Sequence, residues 1–344
     1  MDPSSSHLTT DLSLGRVVRV DRGSCEVVLD GTPSTPLTAP WSAAVTRAAA
    51  VDPAATPAAG DWVLLGPGAR DGERQLVEIR PRRTELRRLS VAGTSRSQVL
   101  AANADVVAVV QAMVPDLDLG RIERLLALAW ASGARPVVLL TKADLHPDPD
   151  RAVREVRPCA PGCEVLAVAA TLGDGLDPVR GWLREGATIA LLGASGVGKS
   201  TLLNTLVGED VMPTRSLGAE GKGRHTTVTR ELHAVPGGGA VIDTPGLRSV
   251  GLQGDEDLDS LFAEISALAA HCRFTDCGHT VEPGCAVLAA VADGTVPARR
   301  WESHRALERE ASFQARRVDV RLRSEYRKEI RRGARARRRE HPHG

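Results

Sequence analysis

The segment Gly193–Ser200 constrains the fold of this 344-residue chain more than any other segment. It reads GASGVGKS and matches the phosphate-binding pattern G-x-x-x-x-G-K-[ST]. The apolar run Ala187–Leu192 precedes it and the helical pattern Ser200–Val207 follows it, which is the strand–loop–helix context that this pattern requires. The sequence therefore predicts a P-loop within an α/β sheet.

The predicted P-loop carries two functional side chains in addition to its backbone. Its glycines let N–H groups close around phosphate oxygens at a helix N-terminus. Lys199 would contact the β- and γ-phosphates, and the Ser200 hydroxyl would be a ligand of Mg²⁺. The predicted nucleotide contacts of this segment are Gly193, Ala194, Ser195, Gly196, Val197, Gly198, Lys199, Ser200 and Thr201.

The motif Asp243-Thr-Pro-Gly246 directly follows the apolar strand Ala240–Ile242. A carboxylate at the end of a strand can hold Mg²⁺ through water, and a glycine amide can meet a γ-phosphate. About 45 residues after a P-loop, this motif is more typical of a nucleotide site than of an ordinary turn. We therefore predict that Asp243 binds Mg²⁺ and that Gly246 contacts the γ-phosphate.

The glycine-rich segment Gly218–Thr229 is typical of a switch loop that becomes ordered around nucleotide. Thr226 or Thr227 would contact the γ-phosphate, and Thr227 is the predicted Mg²⁺ ligand. Many G proteins place a Gln after the DxxG glycine to orient the attacking water, but this chain has Leu247 there. We therefore expect slow intrinsic hydrolysis. His225 is the nearest candidate to position the water, and a structural or partner-facing histidine is an equal alternative.

The tetrapeptide Thr141-Lys-Ala-Asp144 closes the predicted strand Ala134–Leu140. Guanine presents N1–H and N2–H₂ donors on one edge, and the Asp144 carboxylate would accept from both, whereas adenine has no matching pair. Thr141 and Lys142 belong to the same motif, and the Lys142 stem would pack over the base. Together with a P-loop, this motif predicts selection of GTP over ATP.

Three thiols and an imidazole lie within fourteen residues, at Cys272, Cys277, His279 and Cys285. Thiolate and imidazole suit tetrahedral Zn²⁺, and four ligands with no open position indicate a structural site. The sequence therefore predicts one bound Zn²⁺. We interpret the remaining cysteines as small buried hydrophobic residues, namely Cys25, Cys159 and Cys163.

The element pattern predicts an α/β protein of three domains. Short strands over residues 12–90 indicate an OB-like β-barrel, with a loop over Ala48–Gly60 and a basic connector over Pro81–Thr94. Alternating strands and helices over residues 95–252 indicate a mainly parallel sheet. Residues 253–344 are predicted to form a helical domain with the zinc site. The base motif precedes the P-loop, so the G domain is predicted to be circularly permuted, with Asp177–Gly186 as the joining segment.

Charge and hydropathy constrain the partners. The chain has 44 basic and 43 acidic residues, but Arg316–Arg339 alone holds twelve basic against three acidic residues. A tail this basic indicates a polyanionic partner, although a solvated helix end without a target is an equal alternative. No apolar run reaches the roughly 18–20 residues of a membrane span, so we expect a soluble, cytoplasmic protein without membrane association. No heptad repeat predicts self-association, so we expect a monomer.

In combination, these motifs resemble one family, the circularly permuted GTPases known as RsgA or YjeQ. The resemblance covers residues 12 to 330 and rests on the permuted motif order, GASGVGKSTLLN, GRHTT, DTPG and CRFTDCGHTVEPGC. It implies an OB domain, a G domain and a zinc-binding domain. It also implies binding to the small ribosomal subunit and its rRNA, and GTP hydrolysis that the subunit stimulates during its late maturation and release.

The chain departs from the family pattern at two positions near the base. Thr141 replaces the usual Asn of the guanine motif, and we expect looser hydrogen bonding to the P-loop. Ala169-Ala170 stands where Ser-Ala is common, and we expect a supporting contact near the base to be lost. Both changes predict weaker nucleotide binding.

Two other functions fit the same motifs. The first is a nucleotide-dependent RNA-binding switch in which hydrolysis is incidental. The second is a metal-delivery GTPase that uses the Cys/His cluster, which would need an exchangeable metal.

Overall fold

The structure is a computed structural model and describes residues 12–31, 35–70, 72–89, 97–211, 230–244 and 256–318. The chain falls into two compact units, of which the first holds residues 1–88 and 96–248 and the second holds residues 89–95 and 249–344. The first unit contains a β-barrel and an α/β sheet, and the second contains helices. Since the barrel and the α/β sheet share one unit, the domain boundary between residues 90 and 95 stays a prediction. No described helix has the length and apolar character that crossing a membrane requires.

Five antiparallel strands form the barrel. They pair in the order β3-β2-β1-β4-β5, and a bridge between Trp41 and Leu76 joins the ends of this order. Alternate side chains point inward, so Val17, Val27 and Leu65 meet in one apolar core. The five strands are β1 Ser13–Asp21, β2 Ser24–Leu29, β3 Leu37–Pro40, β4 Trp62–Pro67 and β5 Arg74–Ile79.

The predicted loop over Ala48–Gly60 is wrong in part. Helix α1 spans Ala43–Val51, and a short 3₁₀ turn spans Pro53–Ala55. Ser42 caps the helix because its hydroxyl accepts from the N–H of Val45 at 3.4 Å. Alanine is the best helix former, so the Ala-rich composition that suggested a loop favours a helix once a cap is present.

The predicted basic connector over Pro81–Thr94 also contains a strand. β6 spans Glu85–Leu89 and pairs with β7, Ser97–Ala102, in a two-stranded sheet. Leu86 is buried, but its charged neighbours Glu85 and Arg87 obscured the alternating apolar pattern that indicates a strand. A half-exposed strand of this length gives only a weak sequence signal.

The α/β sheet has the predicted permuted order. The strands are arranged β10-β9-β8-β11-β13-β12, the first five are parallel, and β12 is antiparallel to β13. Four helices connect or follow these strands, and α4 lies in the predicted joining segment. The elements are β8 Val106–Ala112, α2 Leu119–Ala131, β9 Arg135–Thr141, α3 Pro149–Val156, β10 Glu164–Ala167, α4 Asp177–Arg184, β11 Thr188–Leu192, α5 Lys199–Val207, β12 Glu231–Ala234 and β13 Ala240–Asp243.

One core stabilises the sheet on the side of α4 and α5. Alternate residues of β8, including Ala108 and Val110, pack with Leu183 of α4 and Leu203 of α5. The barrel continues this sheet because β1 pairs with β12 at Arg19 and Glu231. Apolar burial on this scale supplies most of the favourable free energy of folding.

The described part of the second unit is helical, as predicted. Its helices are α6 Glu256–Leu261, α7 Ala263–Ala269, α8 Ala286–Ala292 and α9 Ala298–Val318. Phe262 is fully buried between α6 and α7, and the guanidinium of Arg300 lies 4.3 Å from its ring centroid. Arg300 Nε also donates to Glu264 at 2.6 Å, which anchors α9 to α7.

A buried ion pair joins Asp61, which precedes β4, to Arg82, which follows β5. Arg82 donates to both carboxylate oxygens of Asp61, at 2.7 and 2.8 Å. Its remaining donors reach the carbonyl oxygens of Ala54 and Thr56, and the N–H of Ala58 donates to Asp61 at 2.8 Å. The Asp61 side chain is 0% exposed, and this burial raises the pKa of its carboxyl group, while Arg82 and the Ala58 N–H act in the opposite direction.

We predict that Arg82→Met lowers the free energy of unfolding by about 3–5 kcal/mol, because it leaves Asp61 charged and unpaired in the interior. Arg80→Met is the matched control, because Arg80 pairs with Glu78 at the surface, where the two side chains are 49% and 51% exposed. The control should lose less than about 1 kcal/mol. Urea denaturation measures both variants, and equal losses would show that burial of the Asp61 pair has no special weight.

Candidate nucleotide and zinc sites

The P-loop lies where sequence analysis placed it, between β11 and α5. A Cβ at Gly193 would lie 2.4 Å from the carbonyl oxygen of Val110, so only glycine fits there. Gly198 has a φ of +98° and precedes the first helical residue, Lys199. The loop thus places its backbone N–H groups at the N-terminus of α5, where they and the helix dipole favour phosphate.

Lys199 is held against the P-loop backbone. Its Nζ donates to the carbonyl oxygens of Gly193 and Ala194, both at 2.9 Å. Only 7% of the residue is exposed, and this burial lowers the pKa of its amino group, while the charge of Asp243 acts in the opposite direction. The side chain therefore sits beside the loop that is predicted to bind the phosphates.

Asp243 ends β13 in register with Leu191 of the neighbouring β11. Burial raises the pKa of its carboxyl group to about 6, against a smaller lowering by Lys199. Among the described residues, its buried Oδ1 has no hydrogen-bond partner. The next residue is fixed, because the Thr244 hydroxyl donates to the Leu191 carbonyl oxygen at 2.6 Å. An orphaned carboxylate oxygen next to a P-loop fits a hydrated Mg²⁺, which prefers oxygen ligands.

The guanine motif follows β9 at the same edge of the sheet. Lys142 adopts a left-handed backbone conformation with a φ of +59°, and Asp144 lies exposed in the 3₁₀ turn Ala143–Leu145. The N–H of Ala143 donates to the Val168 carbonyl oxygen at 3.2 Å, which ties this turn to the loop after β10. The Asp144 carboxylate is thereby held at the surface, where a base can reach it.

The Thr141 hydroxyl links the guanine motif to the P-loop. It donates to the carbonyl oxygen of Val197 at 2.5 Å, and the carbonyl oxygen of Gln111 lies 3.4 Å away. Thr141 is almost fully buried, so water does not compete for this hydrogen bond. The Thr141 hydroxyl is thus long enough to keep a contact with the P-loop backbone, and the looser hydrogen bonding expected relative to asparagine stays a prediction.

Other predicted site residues lie outside the described part of the chain. These are His225, Thr226, Thr227 and Gly246, together with Leu247 and most of the basic tail. Their roles stay predictions. Of the described P-loop residues, Ser195 and Gly196 are exposed, and Ser200 and Thr201 are half-buried at the start of α5.

The four predicted zinc ligands come together in the second unit. The ligand atoms of Cys272, Cys277, His279 and Cys285 all lie within 4.8 Å of one another. Cys272 Sγ lies 3.9 Å from Cys285 Sγ and 3.6 Å from His279 Nδ1. Zn–S bonds of about 2.3 Å and Zn–N bonds of about 2.0–2.1 Å in a tetrahedron require edges of about 3.8 and about 3.6 Å. The donor set and its spacing therefore fit Zn²⁺.

Backbone donors favour the thiolate form at Cys272. Burial raises the pKa of this thiol. Hydrogen bonds from the backbone N–H groups of Val287 and Ala286 and from the thiols of Cys285 and Cys277 lower it, and together they outweigh burial. The resulting pKa lies below the ordinary value of cysteine. The thiolate is the form that a metal binds, so a thiol that ionises readily favours metal binding.

Sequence analysis missed Glu282, which shapes the turn that carries His279. Its carboxylate accepts from the N–H groups of Gly278, Thr280 and Val281 at 3.1, 2.7 and 3.0 Å. These donors lower the pKa of Glu282 to about 2. His279 itself has a φ of +50°, a conformation that a non-glycine residue adopts only when its surroundings impose it. A carboxylate two to four residues after a turn is the signal that could have found it.

Sequence analysis also missed an aromatic contact from the cluster to α9. The His279 ring meets Trp301 edge-on at 6.1 Å, and Trp301 stacks on His304 at 5.4 Å. His304 in turn meets Phe262 edge-on at 5.0 Å. The cluster is thus packed against the helix that leads to the basic tail.

The other cysteines are not ligands of this cluster. Cys25 lies in the barrel core, where burial raises the pKa of its thiol to about 12, and Cys159 is buried as well. Cys163 is half-buried, and burial raises its pKa to about 11. These environments match the structural role that we predicted.

We predict that Asp243→Asn stabilises the nucleotide- and metal-free protein by about 2–3 kcal/mol at pH 7.5. The pKa of Asp243 is about 6 in the folded protein and about 3.9 in the unfolded chain. Folding therefore favours the protonated form, and this contribution is lost as the pH rises through about 6. Asparagine does not titrate, so the difference between the variant and the native chain should shrink towards pH 5.

Urea denaturation at several pH values measures this effect. Asp144→Asn is the control, because it alters an exposed carboxylate and should change stability by less than about 0.5 kcal/mol. A constant difference between Asp243→Asn and the native chain from pH 5 to 7.5 would contradict the account.

We predict that the purified protein holds one Zn²⁺ per chain and that Cys277→Ser reduces this content strongly, because three remaining ligands leave the site open. Cys163→Ser is the control and should keep the full zinc content. Elemental analysis after gel filtration measures both. Removal of the metal should also change the emission of Trp301, a change that a Trp301→Phe variant would not show. Equal zinc content in the native protein, Cys277→Ser and Cys163→Ser would contradict the assignment of Cys277 as a zinc ligand.

The chain is similar to known proteins of one family. A family model described as RsgA GTPase matches residues 79–253. "Small ribosomal subunit biogenesis GTPase RsgA" of Streptomyces avermitilis is 50% identical over 326 residues, which covers 93% of this chain and 85% of that protein. The protein of the same description from Streptomyces coelicolor is 49% identical over 342 residues, which covers 97% of this chain and 90% of that protein.

Two solved structures share the fold. The crystal structure of YjeQ from Thermotoga maritima has a TM-score of 0.63 at 26% identity and covers 87% of this chain and 98% of its own. YloQ, described as a circularly permuted GTPase, has a TM-score of 0.58 at 23% identity, with 90% and 98% covered. The permuted strand order, the joined P-loop and guanine motif, and these matches lead to one conclusion: this chain belongs to the RsgA GTPase family.

Proposed function

We propose that this chain binds the small ribosomal subunit and hydrolyses GTP during the late maturation of that subunit in the cytoplasm. The hydrogen bond between Thr141 and Val197 carries the nucleotide part of this proposal, because it joins a base-reading motif and a phosphate-binding loop in one site. The ribosomal part rests on relatives about 50% identical that are described as small ribosomal subunit biogenesis GTPases.

The residues of this site have separate roles in the proposed reaction. The P-loop N–H groups and Lys199 hold the phosphates, and Asp144 selects guanine by accepting its N1–H and N2–H₂ donors. Ser200 and Asp243 would hold Mg²⁺, with Thr227 as a further ligand. The bound ion would neutralise charge that develops on the phosphate oxygens. Thr226 and Gly246 are proposed to contact the γ-phosphate.

His225 is proposed to position the attacking water, because Leu247 cannot form a hydrogen bond with it. Stimulation by the subunit would arise if rRNA orders this switch segment. A His225→Ala variant should therefore lose most of the subunit-stimulated turnover and keep its affinity for GDP. Full stimulated turnover in this variant would remove His225 from the mechanism.

The zinc cluster is proposed to be structural. Four protein ligands leave no open position, and Trp301 packs against His279, so the arrangement does not favour delivery of the metal to another protein. A metal-delivery GTPase would release the ion to a mild chelator within minutes, whereas a structural site would retain it. The basic segment Arg316–Arg339 is proposed to contact rRNA phosphates, since arginine pairs well with phosphate.

The remaining alternative is an RNA-binding switch that does not need hydrolysis. A non-hydrolysable GTP analogue separates the two functions, because this alternative predicts that the protein leaves the subunit equally well with GTP and with the analogue. The proposed function predicts that release requires GTP that can be hydrolysed.

We predict that purified small subunits stimulate turnover of GTP but not of ATP. In the Asp144→Asn variant, the apparent affinity for GTP should fall roughly tenfold to a hundredfold, because one charged hydrogen bond is lost. The same variant should gain activity with xanthosine triphosphate, since the amide can donate to O2 of xanthine while it accepts from N1–H. Phosphate release measures all of these reactions. Equal, slow turnover with and without subunits would show that the partner is wrong.

A further inference from the structure

The loop after β10 lies beside the guanine motif. β10 runs parallel to β9, and Ala167 pairs with Leu140, so both strands end at the same edge of the sheet. The N–H of Ala143 donates to the carbonyl oxygen of Val168, the first residue of this loop, at 3.2 Å. Residues 168–174 are therefore neighbours of the turn that carries Asp144.

This loop has a fixed backbone but no side-chain hydroxyl at Ala169 or Ala170. The N–H of Ala169 donates to the Asp174 carbonyl oxygen at 3.0 Å, and the N–H of Gly173 donates to the Ala169 carbonyl oxygen at 2.9 Å. Gly175 closes the loop with a φ of +73°, and a Cβ there would lie 2.1 Å from the Ala167 carbonyl oxygen. The sequence predicted that the alanines cost the loop a supporting contact.

Thr205 of the P-loop helix provides a contact to this loop. Its hydroxyl lies 2.9 Å from the carbonyl oxygen of Ala170 and 2.9 Å from that of Thr201, one turn earlier in α5. The hydroxyl has a single proton, so the two carbonyl oxygens share it. The Ala170 carbonyl also accepts from the N–H of Gly173 at 3.3 Å, so the Thr205 contact is the shorter of the two.

The position of Thr205 joins the two halves of the nucleotide site. Helix α5 begins at Lys199, which is predicted to bind phosphates, and the loop lies next to Asp144, which is predicted to bind the base. Asp144 can only accept hydrogen bonds, whereas guanine O6 needs a donor. Most N–H groups of the loop already donate to backbone carbonyl oxygens of the protein. Within residues 168–174, the N–H groups of Ala170 and Thr171 are the donors left for O6 beside this carboxylate.

We propose that Thr205 is a positioning residue for guanine recognition. It holds the Ala170 carbonyl oxygen against the P-loop helix, so that the N–H groups of Ala170 and Thr171 meet O6 while Asp144 accepts from N1–H and N2–H₂. Helix α5 thus supplies a hydroxyl to a loop that has none at Ala169 or Ala170. This inference rests on the proposed binding of GTP.

The test compares Thr205→Val with Thr205→Ser in the full-length protein. Valine keeps the branched shape and removes the donor, whereas serine keeps the donor. Isothermal titration with GDP and with 6-thio-GDP, each with Mg²⁺, gives the affinities. 6-thio-GDP retains both donors that Asp144 would bind and replaces O6 by sulfur, a weaker acceptor.

Thr205→Val should weaken GDP binding roughly three- to tenfold, the usual effect of one hydrogen bond. Its affinity for 6-thio-GDP should change by less than about twofold, so the preference for GDP over 6-thio-GDP falls. Thr205→Ser should retain the native preference. An unchanged preference in Thr205→Val, or an equal loss for both nucleotides, would overturn the inference, because the residue would then support only the helix.

Asp144→Ala separates this inference from the proposed function. Unchanged GDP affinity in this variant would contradict the assignment of Asp144. The role of Thr205 would still be decided by the ratio of the affinities for GDP and 6-thio-GDP in Thr205→Val. A strong loss in Asp144→Ala combined with native behaviour of Thr205→Val would support the proposed function and reject the role of Thr205.

Discussion

Parallel strands that point in one direction end at one edge of a sheet, and the whole nucleotide site depends on this constraint. β9, β11 and β13 end at Thr141, Leu192 and Asp243, so the predicted base motif, the P-loop and the predicted magnesium ligand meet whatever their order along the chain. This is why the permuted order is compatible with the function. Helix α4 connects β10 to β11, and Thr141 then fixes the base motif to Val197 by one buried hydrogen bond.

Two buried carboxylates, Asp61 and Asp243, differ in the hydrogen-bond partners that the protein provides for them. Asp61 accepts hydrogen bonds from Arg82 and from the Ala58 N–H, so its charge is paired even though burial raises the pKa of its carboxyl group. Asp243 is buried as well, but its Oδ1 has no partner among the described residues, and its pKa is raised to about 6. Such a carboxylate costs folding free energy until a cation binds, which is typical of a functional site. The surrounding apolar core of β8, α4 and α5 offsets that cost.

The sequence predicted the parts of the site that are contiguous motifs, and it missed the contacts between them. GASGVGKS and the four predicted zinc ligands each lie in one short stretch of sequence, and the structure brings the members of each set together. The hydrogen bond from Thr141 to Val197 was not predicted, because it depends on strand register that spacing does not reveal. Thr205 and Glu282 form hydrogen bonds with backbone outside the recognised motifs, so motif matching did not find them, and only a nearby turn could have pointed to Glu282. Helix α1 was missed because its cap at Ser42 lies outside the Ala-rich run.

Hydrogen–deuterium exchange with GDP·Mg²⁺ and with ADP·Mg²⁺ tests the central claim most directly. The claim is that one site is formed jointly by residues 141–145, 168–174 and 193–200, and that it recognises guanine. GDP should protect the amides of all three segments at the same nucleotide concentration, and ADP should protect none of them to a comparable degree. Equal protection by the two nucleotides, confined to residues 193–200, would contradict the account, because it would show phosphate binding without recognition of the base.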